Sequence, residues 1–517
     1  MNRRLLIAIA VAVIAASCSS GGDSASPDRT AASTTTTPPH AIAPGTKGVP
    51  AEVVESQADW PLPGHDYDNS RTASRSTITS ANVDRLEKAW SAAPEGLGAL
   101  STAPIVIGDT VFLQGSTGRV AALDRATGKT RWLSDATGSN IGPFGVAVGD
   151  GRVFADDGST GVIALDKKSG TVLWRHRITA TKTLGVDIQP TVFGGMVFAS
   201  TVPVSIGGIY TPGDRGTIYA LDVRTGAERW SFDTIKGELW GHPEINSGGG
   251  AWYPPAIDIT RGVVYVGVAN PAPFPGAKGY PNGTSRPGPN LYTDSVVALK
   301  ADTGKLLWYY QVTPHDILDR DQVHVMLART KKGRDVVISA GKSGVVVALD
   351  RDSGALIWRR AIGVHQNDDH DLKGPTKVFP GTFGGVLTPP ATAGGVVYAA
   401  TLNSPTTLEP DVPSYFGSVL GDGDGEVAAL DADTGRIIWH RTVPGDPLGG
   451  AAVVNDLVLT ALLDGKVIAL TRGDGRIAWQ YDAGGGINGW MAAVDDTLFI
   501  PVGQASPPQL LALRLPD

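Results

Sequence analysis

The stretch VAALDRATGKTRW, residues 120–132, decides the fold because its pattern recurs along the chain. Its first residues are apolar and partly β-branched, which is typical of a buried strand. Asp and Thr can hydrogen-bond the backbone of the turn that follows, and Gly supplies the positive φ that a short turn needs. The Trp that ends the stretch can place its large ring between neighbouring units. The stretch therefore predicts a β-hairpin with an aromatic contact to the next repeat.

Six further copies of this hairpin follow, and each ends in Trp. They are VIALDKKSGTVLW (162–174), IYALDVRTGAERW (218–230), VVALKADTGKLLW (296–308), VVALDRDSGALIW (346–358), VAALDADTGRIIW (427–439) and VIALTRGDGRIAW (467–479). Starting from Trp90, which lacks the preceding hairpin, the spacings are 42, 42, 56, 78, 50, 81 and 40 residues. A base period of about 40 is a propeller-blade length. We therefore predict an all-β fold over residues 56–517, an eight-bladed β-propeller with four strands in each blade.

The last repeat, LLALRLP at 510–516, has the strand but not the Trp. A propeller commonly closes by pairing strands from both ends of the chain in one blade, which leaves no long exposed sheet edge. We predict this closure here.

Composition excludes some classes of function. The net charge is -7 and the chain has no run of Lys or Arg, so nucleic acid is not an expected partner. One Cys cannot form an internal disulfide, so stability must come from packing.

Residues 1–18 are predicted to be a signal peptide. Two arginines precede an apolar run of 13 residues, which is short for a membrane span of about 20. The run ends at Ala15-Ala16-Ser17-Cys18, which resembles the lipobox of bacterial lipoproteins and implies lipidation of Cys18. Because Ala15 stands where Leu is favoured, cleavage by an ordinary signal peptidase stays open. We expect an exported protein, either lipid-anchored on the outer face of the cell membrane or periplasmic or extracellular.

Residues 19–55 are rich in Ser, Thr, Gly, Pro and Ala and poor in large apolar residues. Such a segment buries too little surface to order itself, so we predict a flexible tether.

The loop WYYQVTPHDILDRDQ, residues 308–322, is unusually polar for a connection between repeats. His315, Asp316, Asp319 and Asp321 lie within seven residues. A solvated turn between blades and a functional site are both compatible with this composition.

The repeat resembles the tryptophan-docking repeat of quinoprotein dehydrogenases, eight-bladed propellers that bind pyrroloquinoline quinone (PQQ). The assembly factor of the outer-membrane β-barrel machinery has similar repeats and no cofactor, so the repeat alone does not decide function. The segments WPLPGHDYDNSR (60–71) and ITSANVDRLEKAW (78–90) also resemble the start of the quinoprotein alcohol dehydrogenases. Residues 250–350 resemble the central block of that family.

The resemblance implies roles for five residues. Asn270 in GVANPAP matches an amide ligand of the metal, and Trp252 in GGAWYPP matches the ring that stacks under the quinone. Asp319 matches the general base, which also contacts the metal, and Lys342 matches the residue that hydrogen-bonds the quinone oxygens. Asp321 matches the extra metal-binding carboxylate of the lanthanide-dependent branch. The implied cofactors are PQQ and calcium or a lanthanide.

Two family features are missing. The segment at 200–222 has Arg215-Gly216 but no metal-binding Glu, so Asp321 or Asp214 would have to replace it. The adjacent Cys pair of the alcohol dehydrogenases is also absent. No C-x-x-C-H occurs, so we expect no attached haem c and a separate electron acceptor.

The residues suit the chemistry that the resemblance implies. Oxidation of an alcohol needs a cofactor to accept hydride, a carboxylate to accept the proton and a cation to polarise the quinone. We therefore predict a dehydrogenase that acts on a small-molecule alcohol or sugar, with Asp319 as base. The alternative is a non-enzymatic propeller scaffold of the cell envelope, which the missing Glu favours. A second polar cluster, HQNDDHD at 365–371, is predicted to be a polar loop rather than a metal site.

Overall fold

The protein is described by a computed structural model that covers residues 42–140, 142–179, 181, 183–204, 210–413, 420–421 and 423–517. The fold is a β-propeller, as predicted. Within these residues six sheets have four strands, one has five, one has seven and a small one has two. The prediction of eight four-stranded blades is therefore wrong, because only six of these sheets have four strands and extra short strands enlarge two others.

The first two sheets are regular antiparallel sheets of four strands. Before them come the helix α1 (Ala51–Glu55), the strands β1 (Thr72–Ala73) and β2 (Glu87–Ala92), and a 3-10 helix at Val83–Arg85. The first sheet comprises β3 (Ile105–Ile107), β4 (Thr110–Gln114), β5 (Val120–Asp124) and β6 (Thr130–Leu133). The second comprises β7 (Val146–Gly149), β8 (Arg152–Asp156), β9 (Gly161–Asp166) and β10 (Val172–Arg177).

The third sheet has seven strands, and the fourth begins before the third is complete. The next strands in chain order are β11 (Leu184–Val186), β12 (Thr191–Phe193), β13 (Met196–Pro203), β14 (Arg215–Asp222), β15 (Glu228–Asp233), β16 (Ser247–Gly249), β17 (Ala256–Asp258), β18 (Val263–Gly267), β19 (Pro271–Ala272), β20 (Ser295–Lys300) and β21 (Leu306–Gln311). The strands β17, β18, β20 and β21 form the fourth sheet, and the others form the third. Two 3-10 helices lie in the connections, at Leu239–Gly241 and Pro281–Gly283.

The fifth and sixth sheets are again regular, and a two-stranded sheet has one strand before the sixth sheet in the chain and one strand inserted within it. The strands are β22 (His324–Arg329), β23 (Asp335–Ala340), β24 (Val345–Asp350), β25 (Leu356–Ala361), β26 (Thr376–Val378), β27 (Ala391–Ala393), β28 (Val396–Leu402), β29 (Thr406–Leu408), β30 (Gly425–Asp431) and β31 (Ile437–Val443). The small sheet pairs β26 with β29.

The last two sheets contain the ends of the chain. Their strands are β32 (Ala452–Val454), β33 (Leu457–Ala461), β34 (Lys466–Thr471), β35 (Ile477–Asp482), β36 (Ala492–Val494), β37 (Thr497–Val502) and β38 (Gln509–Arg514). The strand β1 adds to β32, and β2 pairs antiparallel with β38, so that Trp90 lies opposite Ala512. The predicted closure by both ends of the chain is confirmed.

Local hydrogen bonds explain why the repeated stretch forms a hairpin. In the first copy, Asp124 accepts hydrogen bonds from the backbone N–H of Thr127 at 3.0 Å and from its hydroxyl at 2.8 Å. Gly128 has a φ of 70°. The ring of Trp90 lies against Gly128, where a Cβ would come within 2.6 Å of the indole. The indole N–H donates to the carbonyl of Arg125 at 3.1 Å.

Each of six further Trp residues makes the same two contacts with the following repeat, a ring on Gly and an indole N–H on a carbonyl. They are Trp132, Trp174, Trp230, Trp308, Trp358 and Trp439. The repeats are therefore held together by buried or half-buried aromatic rings rather than by covalent links.

The segment at residues 60–73 joins sheets that are far apart in sequence. It makes backbone hydrogen bonds to the edge strands β3, β17, β22, β27 and β32, through Val106, Ile257, Leu327, Thr392 and Val453. Because these strands belong to five different sheets, the segment must cross the middle of the ring. We call this part of the molecule the sealed side.

The folded part begins before the predicted boundary at residue 56. Val53 in α1 is buried, and Glu52 forms an ion pair of 3.3 Å with Lys167. The prediction of a tether up to residue 55 therefore extends too far, because an apolar side chain and an ion pair attach this helix to the second sheet. The signal peptide and Cys18 lie outside the described residues. Over the described part of the chain, no helix is long and apolar enough to cross a bilayer.

Candidate active site

A cavity of about 380 Å³, which we call the central cavity, is lined by residues from many of the sheets and their connections. Trp252, Asn270, Asp321 and Lys342 line it. Asp319 is 1% exposed and contacts Lys342, but it is not part of the cavity wall. The structure thus brings the five predicted site residues together, although they come from different parts of the chain.

Lys342 lies between two carboxylates. Its Nζ is 2.9 Å from Oδ2 of Asp319 and 2.7 Å from Oδ2 of Asp321. The other oxygen of Asp321 accepts a hydrogen bond of 2.7 Å from the backbone N–H of Asn270. Oδ1 of Asp319 is buried and accepts no hydrogen bond from the described residues. Since buried polar atoms are normally paired, this oxygen is a candidate for binding something that the chain does not supply.

A close backbone approach positions the lysine. Lys342 lies in the short connection between β23 and β24, next to Gly341. A Cβ at Gly341 would come within 1.9 Å of the carbonyl oxygen of Asp321, so only Gly fits. The backbone N–H of Ser343 also donates to the carbonyl of Arg320 at 3.0 Å. The two loops therefore pack backbone against backbone, which holds the ammonium beside the carboxylates.

The carboxylates of the loop at 308–322 have two different uses. Asp316 accepts hydrogen bonds from the backbone N–H groups of Leu318 and Arg320, each at 2.7 Å, and so fixes the turn. Buried Arg286 donates to the carbonyl of Asp316 at 2.6 Å. Leu318 packs in an apolar cluster with Leu372. With the turn fixed in this way, the two remaining carboxylates are free to face Lys342.

Burial dominates the electrostatics around these carboxylates. It raises the pKa of Asp319 to about 8, although the ammonium of Lys342 acts in the opposite direction. Asp294 is also fully buried, neither of its carboxylate oxygens has a hydrogen-bond partner in the described part, and burial raises its pKa well above the ordinary value. A carboxyl group in such a place binds a proton more tightly and is a stronger base once ionised.

Aromatic rings form much of the cavity wall. The ring centroid of Trp252 is 5.0 Å from Nζ of Lys342, a cation–π distance. The hydroxyl of Tyr253 donates to the carbonyl of Leu387 at 2.6 Å. Tyr253 and Trp490 also line a second cavity of about 30 Å³ on the sealed side, which contains Arg71. These two rings thus separate the central cavity from the sealed side.

The other polar candidates from the sequence lie elsewhere. Asp214 is not among the residues that line the central cavity. In the cluster HQNDDHD, His365 pairs with Asp368 and His370 pairs with Asp369, each at 2.7 Å. Among the described residues, no group of three or more His, Cys, Asp or Glu side chains is arranged to hold a metal ion. A metal beside Asp319 would therefore need the amide of Asn270 or the carboxylate of Asp321, together with ligands from outside the chain.

Sequence reasoning missed one charged residue of the wall, Asp187, and several aromatic residues. Asp187 is 8% exposed, and its Oδ1 has no hydrogen-bond partner in the described part. The only sequence signal is a single carboxylate among apolar residues in LGVDIQP. Phe144, Tyr210 and Phe383 also line the cavity.

Two family profiles match the chain. The profile for the glucose/ethanol/alcohol dehydrogenase β-propeller domain matches residues 60–144 and 148–361. The profile for the outer membrane protein assembly factor BamB matches residues 294–505. The first covers more than half of the chain and includes all five predicted site residues.

Individual proteins give a consistent picture. The chain is 30% identical to the quinohemoprotein alcohol dehydrogenase of Comamonas testosteroni over 68% of its own length, and the match covers 56% of that relative. The crystal structure of the Comamonas testosteroni enzyme has a TM-score of 0.77 with 23% identity, and 90% of this chain and 82% of that one are covered. A europium-containing methanol dehydrogenase has a TM-score of 0.71 with 20% identity, covering 89% and 98%. These two structural likenesses concern the fold.

Proposed function

Because the chain belongs to the family of glucose, ethanol and alcohol dehydrogenase β-propeller domains, we propose that it is a PQQ-dependent dehydrogenase that oxidises an alcohol or a sugar. The observation that supports this proposal best is one cavity that holds Lys342 between two buried carboxylates, beside the half-buried ring of Trp252. A scaffold has no need of a desolvated ion triplet in an open cavity, because burying charges costs stability.

Each residue has a distinct task in this proposal. When bound, PQQ supplies an acceptor for the hydride that leaves the substrate carbon with its electron pair. Trp252 offers a flat apolar face for a planar ring. Lys342 stabilises negative charge that develops on an oxygen nearby. The hydroxyl proton of the substrate goes to a carboxylate, and the alcohol leaves as an aldehyde or ketone.

We assign the base to Asp319, as the sequence predicts. Its raised pKa suits a group that must accept a proton near neutral pH. The second candidate is Asp321, because this carboxylate lines the cavity whereas Asp319 lies behind Lys342. Replacing each in turn by Asn distinguishes them, since loss of the true base removes turnover while loss of its neighbour changes mainly the pH profile.

The residues fit a bound metal and quinone in part. The unpaired Oδ1 of Asp319, the amide of Asn270 and the carboxylate of Asp321 are hard oxygen ligands of the type that calcium or a lanthanide takes. The remaining ligands would come from the cofactor and water. PQQ also has three carboxylates, and among the described residues of the wall only Lys342 is a cation. The wall therefore offers partners for the ring and the quinone oxygens of PQQ, but only one cation for its three carboxylates.

A titration of the purified protein with PQQ tests the proposal. Quinone absorbance and thermal stability would be followed without metal, with calcium and with lanthanum. We expect saturable binding that needs a metal and raises the melting temperature. The variant Trp252→Leu should weaken binding, whereas Trp240→Leu, at a ring outside the cavity, should not. No binding with any metal would refute the cofactor assignment.

The second candidate function is a binding scaffold of the cell envelope. The match of residues 294–505 to the BamB profile favours it, as does the absence of the metal-binding Glu at 200–222. A scaffold would show no quinone binding, and Lys342→Met would leave its partner binding unchanged.

We further propose that the chain is exported and anchored to the outer face of the membrane through Cys18, and that it passes electrons to a separate acceptor. The lipobox-like sequence at 15–18 supports the anchor. Cys18→Ser should release the protein from the membrane fraction; if the variant stays there, the anchor is wrong. Turnover should need an added dye or cytochrome, and turnover without any acceptor would contradict the second point.

A further inference from the structure

The central cavity has more acidic than basic side chains on its wall. The ionisable acidic and basic side chains on its described wall are Asp187, Asp321 and Lys342. The ammonium of Lys342 is already matched by two carboxylates, Asp319 and Asp321. Asp187 is therefore the carboxylate of the wall without a matching cation in the described residues.

Asp187 is built into the wall. It is buried to more than nine-tenths and packs so closely on the backbone of Gly142 that a Cβ there would come within 1.9 Å of its Oδ1. Asp156, which is fully buried, lies near enough for the charge of Asp187 to raise its pKa in addition to the effect of burial. Burial likewise raises the pKa of Asp187 well above its ordinary value. A cation that enters the cavity would therefore favour the ionised form of Asp187, which has no counter-ion among the described residues.

The aromatic wall provides the second half of a cation site. Phe144, Tyr210, Trp252, Tyr253, Phe383 and Trp490 all line the cavity. The ammonium of Lys342 is already 5.0 Å from the ring of Trp252 and 5.9 Å from that of Phe383. The faces of such rings attract alkylammonium groups, most strongly when water is excluded.

Another buried cation, Arg71, lies behind the aromatic layer rather than on the cavity wall. Arg71 lies on the sealed side, 5.6 Å from the ring centroid of Trp490, and its Nε donates to the carbonyl of Ala451 at 2.8 Å. Its charge acts on Tyr253, and so do the charges of Asp187, Asp321 and Lys342. Because Arg71 lies behind the rings of Tyr253 and Trp490, it does not provide a counter-ion for Asp187 on the cavity wall.

We infer that the central cavity binds an organic cation, a primary to quaternary alkylammonium group, with Asp187 as its counter-charge and aromatic rings around its methyl or methylene groups. The cation site stands on these contacts alone. The extension, which rests on the proposed function, is that the alcohol oxidised here carries such a group. The whole cavity, about 380 Å³, is within the size range of small-molecule pockets, and in the proposed enzyme the cation would share it with the quinone.

A pair of isosteric alcohols tests the inference. Choline carries a trimethylammonium group, and 3,3-dimethyl-1-butanol has the same shape without the charge. Calorimetric titration of the full-length protein, without quinone, should show at least tenfold tighter binding of choline. Equal affinities, or tighter binding of the neutral alcohol, would overturn the inference.

Matched variants locate the charge that is responsible. Asp187→Asn should reduce the preference for choline to less than about threefold, whereas Asp135→Asn, the same change at an exposed position, should leave it intact. Phe383→Leu should weaken choline binding more than binding of the neutral alcohol. An unchanged preference in Asp187→Asn would overturn the role of this residue, and Phe383→Leu remains informative if Asp187→Asn does not fold.

Failure of the proposed function gives a different result. If choline binds selectively but the protein with PQQ and metal oxidises neither alcohol, the cation site stands and the dehydrogenase assignment fails. If oxidation occurs with equal kcat/KM for the two alcohols and binding shows no preference, the dehydrogenase stands and the cation site fails.

Discussion

The two sides of the aromatic layer formed by Tyr253 and Trp490 each contain a buried cation, but the partners differ. On the sealed side, Arg71 bonds a carbonyl and lies between the rings of Trp60 and Trp490. Toward the central cavity, Lys342 meets two carboxylates, one of which keeps an unpaired oxygen. A cation held by carbonyls and rings stabilises a fold, whereas a cation held by carboxylates beside a cavity can take part in chemistry.

The pKa values reflect the same contrast. Burial lowers the pKa of Arg71 to about 9 and raises that of Asp319 to about 8. The printed contacts of Arg71 are the carbonyl of Ala451 and the rings of Trp60 and Trp490, none of which is a carboxylate that could accept its proton. Asp319 shares the ammonium of Lys342 with a second carboxylate, so a proton can be exchanged within the triplet. The cavity side is therefore where proton transfer is expected.

The largest expected effect is loss of turnover on the cavity side. Asp319→Asn should reduce dye-linked alcohol oxidation by about 100- to 10,000-fold, because an amide cannot accept the substrate proton. The melting temperature should stay the same or rise, and PQQ binding should persist. The measurement is initial rate together with a quinone titration, and retained turnover would transfer the base to Asp321.

Removal of the cavity cation should lower stability as well as turnover. Lys342→Met leaves Asp319 and Asp321 buried without their counter-ion, a change that typically costs about 3–5 kcal/mol. Urea unfolding at pH 8 measures it, with the exposed Lys466→Met as a control that should unfold like the native protein. Unchanged stability of Lys342→Met would mean that the triplet is not desolvated in solution.

The corresponding change on the sealed side should be smaller and should spare function. Arg71→Met keeps much of the packing but leaves the carbonyl of Ala451 without its donor, at a cost of about 1–3 kcal/mol. Quinone and choline binding should remain as in the native protein. A loss of binding with native stability would show that the aromatic layer does not isolate the two sides.

The smallest expected effect is a change in the free energy of unfolding with pH. The folded protein keeps the Asp319 proton up to about pH 8, while the unfolded chain releases it near 4. Between these values the folded state binds more protons, so stability should fall as pH rises, by at most about 1.4 kcal/mol per pH unit from this group. Urea midpoints from pH 5 to 8 should therefore be less pH-dependent in Asp319→Asn; an equal slope would contradict the raised pKa.

The repeated hairpins could be predicted from the sequence because they depend on contacts between residues that are close in sequence. The Asp124–Thr127 bonds and the left-handed Gly128 lie within five positions, and the pattern that encodes them recurs with little change. The extra strands β1, β11, β16 and β19 could not be predicted, because each is only two or three residues long and pairs with partners outside the repeat. The order in residues 42–55 was missed for a similar reason, since α1 depends on contacts with the second sheet.

The site was predicted unevenly. Trp252, Asn270, Asp319, Asp321 and Lys342 were found through the family pattern, and they do meet. Their roles remain predictions. The sequence did not show which of the carboxylates lines the cavity. That depends on the positive φ of Asp319 and Asp321 and on the close approach of Gly341 to the backbone of Asp321.

The sequence by itself indicated the repeating hairpin, the contact of seven of the eight repeat Trp residues with the next repeat and the closure of the ring, since these follow from short-range bonds or from the repeated strand at 510–516. Only the tertiary structure decided that Asp187, an isolated Asp in an apolar stretch, lines the same cavity as Lys342. The physical reason is that the electrostatic environment of a cavity depends on side chains from distant parts of the chain. These side chains interact strongly only after folding has brought them together and removed the water between them.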